Sequence, residues 1–337
     1  MTQKDLENQF LDYFNNLETS KFSVKSFERI FGGASRETYK VLLADDDNEE
    51  RNLIYRRTQD SSLIETEQST EYSAYSAFQN SPVPVPKIIA LEEDSNKLGA
   101  PFILMEEIPG KAASPFDKEA YVPHEIDLGN QFWEILGNIV KKDISDPILK
   151  DFYQEDQKPV WKRELDKWVD VIRQDSIGEE PILEAAIRSL EKTPPNETEN
   201  LCMVHGDYRN GNFLYLDNKI TGILDWEMAH FGDPLEDLAW ALSPIWSWTD
   251  HSRPAYLIDR DDALEIWKKT SGLALNKIDL EWWELFSCVK GLAIWISAGN
   301  EFNTFKNPDP INLFSAWLPG DIHTEIILEK LSKGFQQ

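Results

Sequence analysis

The 337-residue sequence is 41% hydrophobic and 12% aromatic, a balance that belongs to globular chains and excludes intrinsic disorder. With 60 acidic against 34 basic residues the net charge is −26, which argues against nucleic acid or an anionic membrane surface as partner. Two cysteines exclude a disulfide framework and, with five scattered histidines, a four-ligand zinc site. The first residues, Met-Thr-Gln-Lys-Asp-Leu-Glu, carry no apolar signal-peptide core, and the most apolar window, 291–298, is too short to cross a bilayer. The expected location is the cytoplasm.

Leu6, Phe10, Leu11, Phe14 and Leu17 recur at helical spacing and predict an opening amphipathic helix. Strand-like runs follow at 22–31 and 37–44, separated by Gly32-Gly33-Ala34-Ser35-Arg36. Small residues at such a place allow backbone N–H groups to approach phosphates, although a plain hairpin turn explains them equally well. An acidic turn at 45–50 leads into the strand Leu53-Ile54-Tyr55-Arg56-Arg57, and 61–78 reads as a helix carrying Glu65, Glu67 and Glu71. Pro82, Pro84 and Pro86 stop it and stiffen an extended connector. Strands at 87–91 and 101–106, joined by a polar turn, complete an expected five-stranded lobe with one packed helix. From Ile126 the period turns helical, with further helices expected over 161–173 and 181–191 before the break at Pro194-Pro195.

The densest chemistry lies in Val204-His205-Gly206-Asp207-Tyr208-Arg209-Asn210-Gly211-Asn212 and, further on, Ile223-Leu224-Asp225-Trp226-Glu227. Residues 213–216 and 219–224, around Asp217-Asn218, form a predicted hairpin that returns the chain to its start. Asn212 and Asp225 therefore finish side by side, and a carboxylate beside an amide oxygen suits a hard divalent cation. Asp207, on the entering loop, is placed to take a proton from a hydroxyl. Gly232-Asp233-Pro234-Leu235-Glu236 has the order of a capping box, with Asp233 as N-cap. The C-terminal third is rich in tryptophan (among them Trp240, Trp246, Trp248, Trp267, Trp282, Trp283, Trp295 and Trp317), most of it expected in the core.

H-x-D-x-x-x-x-N followed by a further Asp resembles the catalytic loop of the protein-kinase-like fold. The wording H-G-D-Y-R-N-G-N, I-L-D-W-E and G-D-P-L-E-D-L-A-W is similar to the aminoglycoside phosphotransferase and choline kinase branch, and most of all to the kinase-like domain fused to some acyl-CoA dehydrogenases. The match runs over roughly residues 25–245 and is dense between 204 and 240. The resemblance implies an α+β, bilobal protein-kinase-like fold: a small five-stranded antiparallel N-lobe (1–107) that binds nucleotide and a larger, mostly helical C-lobe (108–337) that holds catalysis and substrate.

Carried onto this chain, it implies an ATP- and Mg²⁺-dependent phosphotransferase acting on a hydroxyl of a small molecule. Asp207 is then the base, Asn212 and Asp225 the metal ligands, and Gly33, Ala34 and Ser35 the phosphate-covering loop. Arg56 stands where the family carries its phosphate-binding lysine, with Arg57 as the competing neighbour; a guanidinium keeps the charge and adds a two-pronged grip. Glu71 is the expected partner of that cation, with Glu67 a turn away as the alternative. Met105 and Glu106 fall where the backbone meets adenine, although ordinary strand residues would look the same. His205 is expected to pack the loop, Asp237 to brace it, and Arg209 either to stabilise transferred charge or to lie on the surface. The acceptor's charge stays open: acidic residues and tryptophans suit a cation, whereas an anion needs a basic anchor, for which Lys290 is the inward-pointing candidate. The rival functions are a catalytically silent, nucleotide-binding sensor and a metal-dependent hydrolase built on His205, Asp207 and Asp225.

Overall fold

A computed structural model describes residues 2–30, 36–58, 68–114, 116–153 and 158–334. The first helix, α1 (Gln3–Leu17), is capped by Thr2 and buries Leu6, Phe10 and Phe14. Five antiparallel strands follow, β1 (Phe22–Ile30), β2 (Arg36–Asp45), β3 (Glu50–Thr58), β4 (Ile88–Glu92) and β5 (Phe102–Glu106), in the order β1-β2-β3-β5-β4. The register pairs Thr38 with Arg56 across β2 and β3, and Arg56 with Ile103 across β3 and β5.

Side chains alternate across a strand, so β3 serves two environments. Leu53 and Tyr55 enter a core with Phe10, Phe27, Tyr39 and Phe102 under α1. Ile54 and Arg56 take the opposite face, towards the rest of the molecule. That period of two decides between Arg56 and Arg57: the former faces the interior cleft, and the latter lies 3.6 Å from Glu37 on the neighbouring strand. Helix α2 (Gln68–Phe78) is described from Gln68 onward; it packs beneath the sheet and buries Glu71, Ala74, Tyr75 and Phe78. A short helical turn, α3 (Ser95–Leu98), capped by Asp94, links β4 and β5 and adds Leu98 to the core under α1.

The larger lobe gathers α4 (Glu125–Val140), α5 (Val160–Asp175), α6 (Pro181–Lys192), α7 (Pro234–Ala241), α8 (Arg260–Ser271), α9 (Lys277–Asn303) and α10 (Pro310–Lys333). Its main core draws on Leu128, Phe132, Trp168, Trp226, Trp282, Trp283 and Phe286. Between α6 and α7 lie a two-stranded ribbon, β6 (Cys202–Val204) with β9 (His230–Gly232), and the hairpin β7 (Phe213–Leu216) with β8 (Lys219–Ile223). The ribbon went unforeseen because three residues are too few to show a period. Among the described residues no helix is long and apolar enough to cross a membrane.

Candidate active site

The residues of the 204–212 loop are mounted from several sides. The segment after β6 enters through Gly206, whose φ of +87° places its backbone so close to Met228 that a Cβ would meet the Met228 carbonyl at 2.4 Å. Only glycine fits there. Asp237, in the first turn of α7, accepts the backbone N–H groups of His205 (2.6 Å) and Gly206 (2.9 Å), as expected of a bracing acid. Burial raises its pKa. Tyr208 is buried and donates to the Phe132 carbonyl at 2.7 Å, tying the loop to α4.

His205 is fully buried. Its Nδ1 accepts from the Asp207 N–H (3.1 Å), so Nε2 carries the proton and donates to the Leu224 carbonyl (2.9 Å). Burial lowers the imidazole pKa, in keeping with this neutral tautomer. The ring therefore ties the loop to the end of the hairpin and has no lone pair left for a substrate.

Asp207 is half-buried and its carboxylate is densely bonded. Arg209 Nε donates to both oxygens (3.0 and 3.1 Å), Asn212 Nδ2 to Oδ2 (2.6 Å) and Trp240 Nε1 to Oδ1 (2.8 Å). Arg209 is thus a cleft residue, with its guanidinium 4.7 Å above the Trp246 ring. Asn212 Nδ2 also donates to the Asp207 carbonyl (2.9 Å). Both bonds use the amide nitrogen, and neither uses the amide oxygen.

The hairpin closes as expected: Phe213 pairs with Ile223, and the Leu224 N–H donates to the Asn212 carbonyl at 2.8 Å. Asp225 follows in the left-handed region (φ 68°), its N–H held by the Tyr75 hydroxyl at 3.1 Å. Arg56 Nη2 reaches its Oδ1 at 2.9 Å, while Arg56 Nη1 donates to Glu71 Oε1. Burial works to raise the Asp225 pKa, but Arg56 beside it more than offsets this and holds the carboxyl below its usual range. The donor set, a carboxylate and an amide oxygen on adjoining backbone, fits a hard, oxygen-preferring divalent cation.

These groups line one cleft of about 680 Å³ between the sheet and the helical lobe. Thr38, Ile54, Arg56 and Met105 form its upper wall; Asp207, Arg209, Asn212 and Asp225 form its floor; Trp240, Trp246 and Trp295 close one end. Met105 is buried and pairs with Ile54 and Ile88. The Glu106 N–H is engaged by the Lys87 carbonyl (2.9 Å) and the Glu107 N–H by that of Asn52 (3.0 Å), so neither is a spare donor for a ring edge. The Glu106 carboxylate turns outward to Lys87 at 2.9 Å. Gly33, Ala34, Ser35 and the alternative Glu67 lie outside the described residues.

Other expectations need correcting. Asp233 caps α7 through the Leu235 N–H (2.8 Å), but Glu236 does not complete a capping box; it binds His230 (3.0 Å) and Lys290 (3.0 Å). Lys290 does point inward, yet not into the cleft: it donates to the Gly206 carbonyl at 2.6 Å. It offers an anionic acceptor no anchor. Trp240 belongs to the core by burial, and nothing in its spacing marks the hydrogen bond to Asp207. Trp317 is 64% exposed, outside any core.

Residues 26–274 match the profile described as the phosphotransferase enzyme family. Mouse acyl-CoA dehydrogenase family member 10 is 29% identical over 215 residues, 62% of this chain and 19% of that protein. Human acyl-CoA dehydrogenase family member 11 is 24% identical over 179 residues, 50% of this chain and 22% of that one. The chain thus spans about a fifth of the length of these curated relatives. Among solved structures, a Ralstonia eutropha protein provisionally described as an aminoglycoside phosphotransferase superposes with a TM-score of 0.76 at 18% identity, covering 98% of this chain and 99% of that one. A thermostable mutant of the aminoglycoside phosphotransferase APH(4)-Ia, solved as a ternary complex with ADP and hygromycin B, gives 0.63 at 14% identity, over 96% and 97% of the two chains. These likenesses establish the bilobal protein-kinase-like fold, and the profile match over most of the sequence places the chain in the phosphotransferase enzyme family.

Proposed function

We propose that the protein is an ATP- and Mg²⁺-dependent kinase that phosphorylates a hydroxyl of a small molecule. The observation that carries this reading is the meeting of Asp207, Asn212, Asp225 and the Arg56–Glu71 pair around one cleft, from segments spread across the chain. Phosphoryl transfer demands alignment and charge neutralisation more than covalent help, and the cleft supplies groups for both.

Asp207 orients the acceptor hydroxyl and takes its proton. Trp240 and Asn212 hold that carboxylate in place, and Arg209 shares its charge. Arg56, steadied by Glu71, grips phosphate oxygens with its fork. Asn212 and Asp225 would hold Mg²⁺, which when bound neutralises charge on the triphosphate. Met105 supplies an apolar surface for the nucleotide ring beside Glu106, and Gly33, Ala34 and Ser35 remain the proposed cover over its phosphates. The lobes divide at 107/108 in this reading, and the two buried thiols, Cys202 and Cys288, suit the reducing cytoplasm.

The intact Asp207, Asn212 and Asp225 set weighs against a silent sensor. Incubation with Mg-ATP and a panel of amino alcohols, aminoglycosides, sugars and hydroxy acids, with ADP release as readout, tests the proposal. Acceptor-dependent ADP release supports it. Tight Mg-ATP binding with no release above an Asp207→Asn background for any acceptor would favour the sensor.

A further inference from the structure

Lys290 lies on α9, one residue before the apolar window 291–298, and is 1% exposed. A buried ammonium survives only when its charge and its N–H groups are matched. Here Nζ donates to the Gly206 carbonyl (2.6 Å) and to Glu236 Oε1 (3.0 Å), and it sits over the rings of Trp240 (5.1 Å) and Trp168 (5.7 Å).

Glu236 is equally buried, and its other oxygen meets His230 Nε2 at 3.0 Å. His230 Nδ1 lies 2.9 Å from the Met228 carbonyl, which can only accept, so Nδ1 carries a proton. Nε2 faces Glu236 and, at 3.6 Å, Glu164 of α5; a bare lone pair towards two carboxylates would be repelled, so Nε2 carries a proton too. The result is a row of alternating charge, Glu164, His230, Glu236 and Lys290, contributed by α5, β9, α7 and α9. It ends on the carbonyl of the residue before Asp207.

We propose that Lys290 is a positioning residue for Asp207, holding the catalytic loop through the Gly206 carbonyl and, through the Trp240 ring, the indole that donates to the carboxylate. The inference rests on the phosphotransferase reading for its catalytic meaning. A purely space-filling role would be met better by an apolar side chain, because a buried ion pair seldom outperforms hydrophobic packing. What an apolar residue lacks is a donor for Gly206 and a cation for the face of Trp240. The arrangement also answers Asp237, which grips the N–H groups of the same turn; the loop is held by its N–H groups from α7 and by its carbonyl from α9.

Lys290→Met alone leaves Glu236 unpaired and risks unfolding, so the informative protein is the full chain carrying Lys290→Met with Glu236→Gln. This double variant is expected to unfold cooperatively, bind Mg-ATP within a few-fold of wild type, and show kcat lowered by roughly 10²-fold with KM for ATP little changed, the scale of a misplaced catalytic group. Its Trp240 indole N–H resonance should shift and exchange faster, an effect readable even without turnover. A folded double variant with wild-type kcat or an unmoved indole resonance would overturn the proposal. A wild-type protein that releases no ADP would sink the phosphotransferase reading instead, and the resonance would still decide the positioning. Metal analysis gives a further check. A stoichiometric ion retained on purified protein and lost in His230→Gln would make Glu164, His230 and Glu236 a metal site and overturn the charge row.

Discussion

Arg56 and Asp225, 169 residues apart in sequence, form an ion pair at 2.9 Å across the cleft. One comes from the third strand of the sheet and the other from the end of the hairpin, so this contact joins the sheet side of the cleft to its floor. Arg56→Ala should raise KM for ATP and lower kcat; losing charged hydrogen bonds of about 1.5–3 kcal/mol corresponds to roughly 10- to 150-fold in kcat/KM. Arg57→Ala should change little, and Arg56→Lys should be partly active because charge remains while the fork is lost. Steady-state kinetics on the three variants checks this; an inactive Arg57→Ala beside a near-normal Arg56→Ala would contradict it.

Asp225→Ala is expected to abolish the Mg²⁺ dependence of nucleotide binding, and Asn212→Ala to weaken it. Calorimetric titration of ATP with and without Mg²⁺ measures both. Undiminished Mg-ATP affinity in Asp225→Ala would remove Asp225 from the metal site.

Trp240→Phe keeps an aromatic ring over Lys290 but deletes the N–H that Asp207 accepts. A lost hydrogen bond to a charged group, about 1.5–3 kcal/mol, predicts kcat lowered by roughly 10-fold or more with Mg-ATP affinity retained. Single-turnover rates would show it, and an unchanged rate would return Trp240 to the role of plain core.

Much of the geometry of the cleft was legible, and for identifiable reasons. Alternation along β3 separates Arg56 from Arg57, and the short hairpin between Asn212 and Asp225 can only bring its ends together. What escaped the sequence is contact that no period encodes. The Trp240 indole reaches Asp207 from α7, the helix whose Asp237 also holds the loop, and tryptophan spacing is the same whether the N–H is used or not. Glu236 has the sequence position of a capping residue, but the local bond lost to long-range charges on His230 and Lys290. Lys290 reads as an inward cation, and only the packing of α9 against the loop shows that it faces a carbonyl and not a ligand.

Stability should fall with pH in a way traceable to His230. Burial alone would lower its pKa, but Glu164 and Glu236 more than reverse this, with Lys167 opposing them, and hold it above the ordinary 6.5. A folded-state pKa above the unfolded value gives stability that is full below the unfolded pKa and is lost as pH rises through the folded one. Asp233, pushed up to about 7 chiefly by burial, acts with the same sign between its ordinary 3.8 and that value. Urea midpoints above pH 7 should therefore decline more steeply in wild type than in His230→Gln. Parallel profiles would mean that His230 is not charged in the folded protein.

The central claim concerns Asp207 and is best tested by one substitution that preserves shape. Asp207→Asn should bind Mg-ATP within a few-fold of wild type while acceptor-dependent kcat falls by at least ~10²-fold, the scale of a lost general base. Full turnover in that variant, measured by ADP release with the same acceptor, would contradict the account.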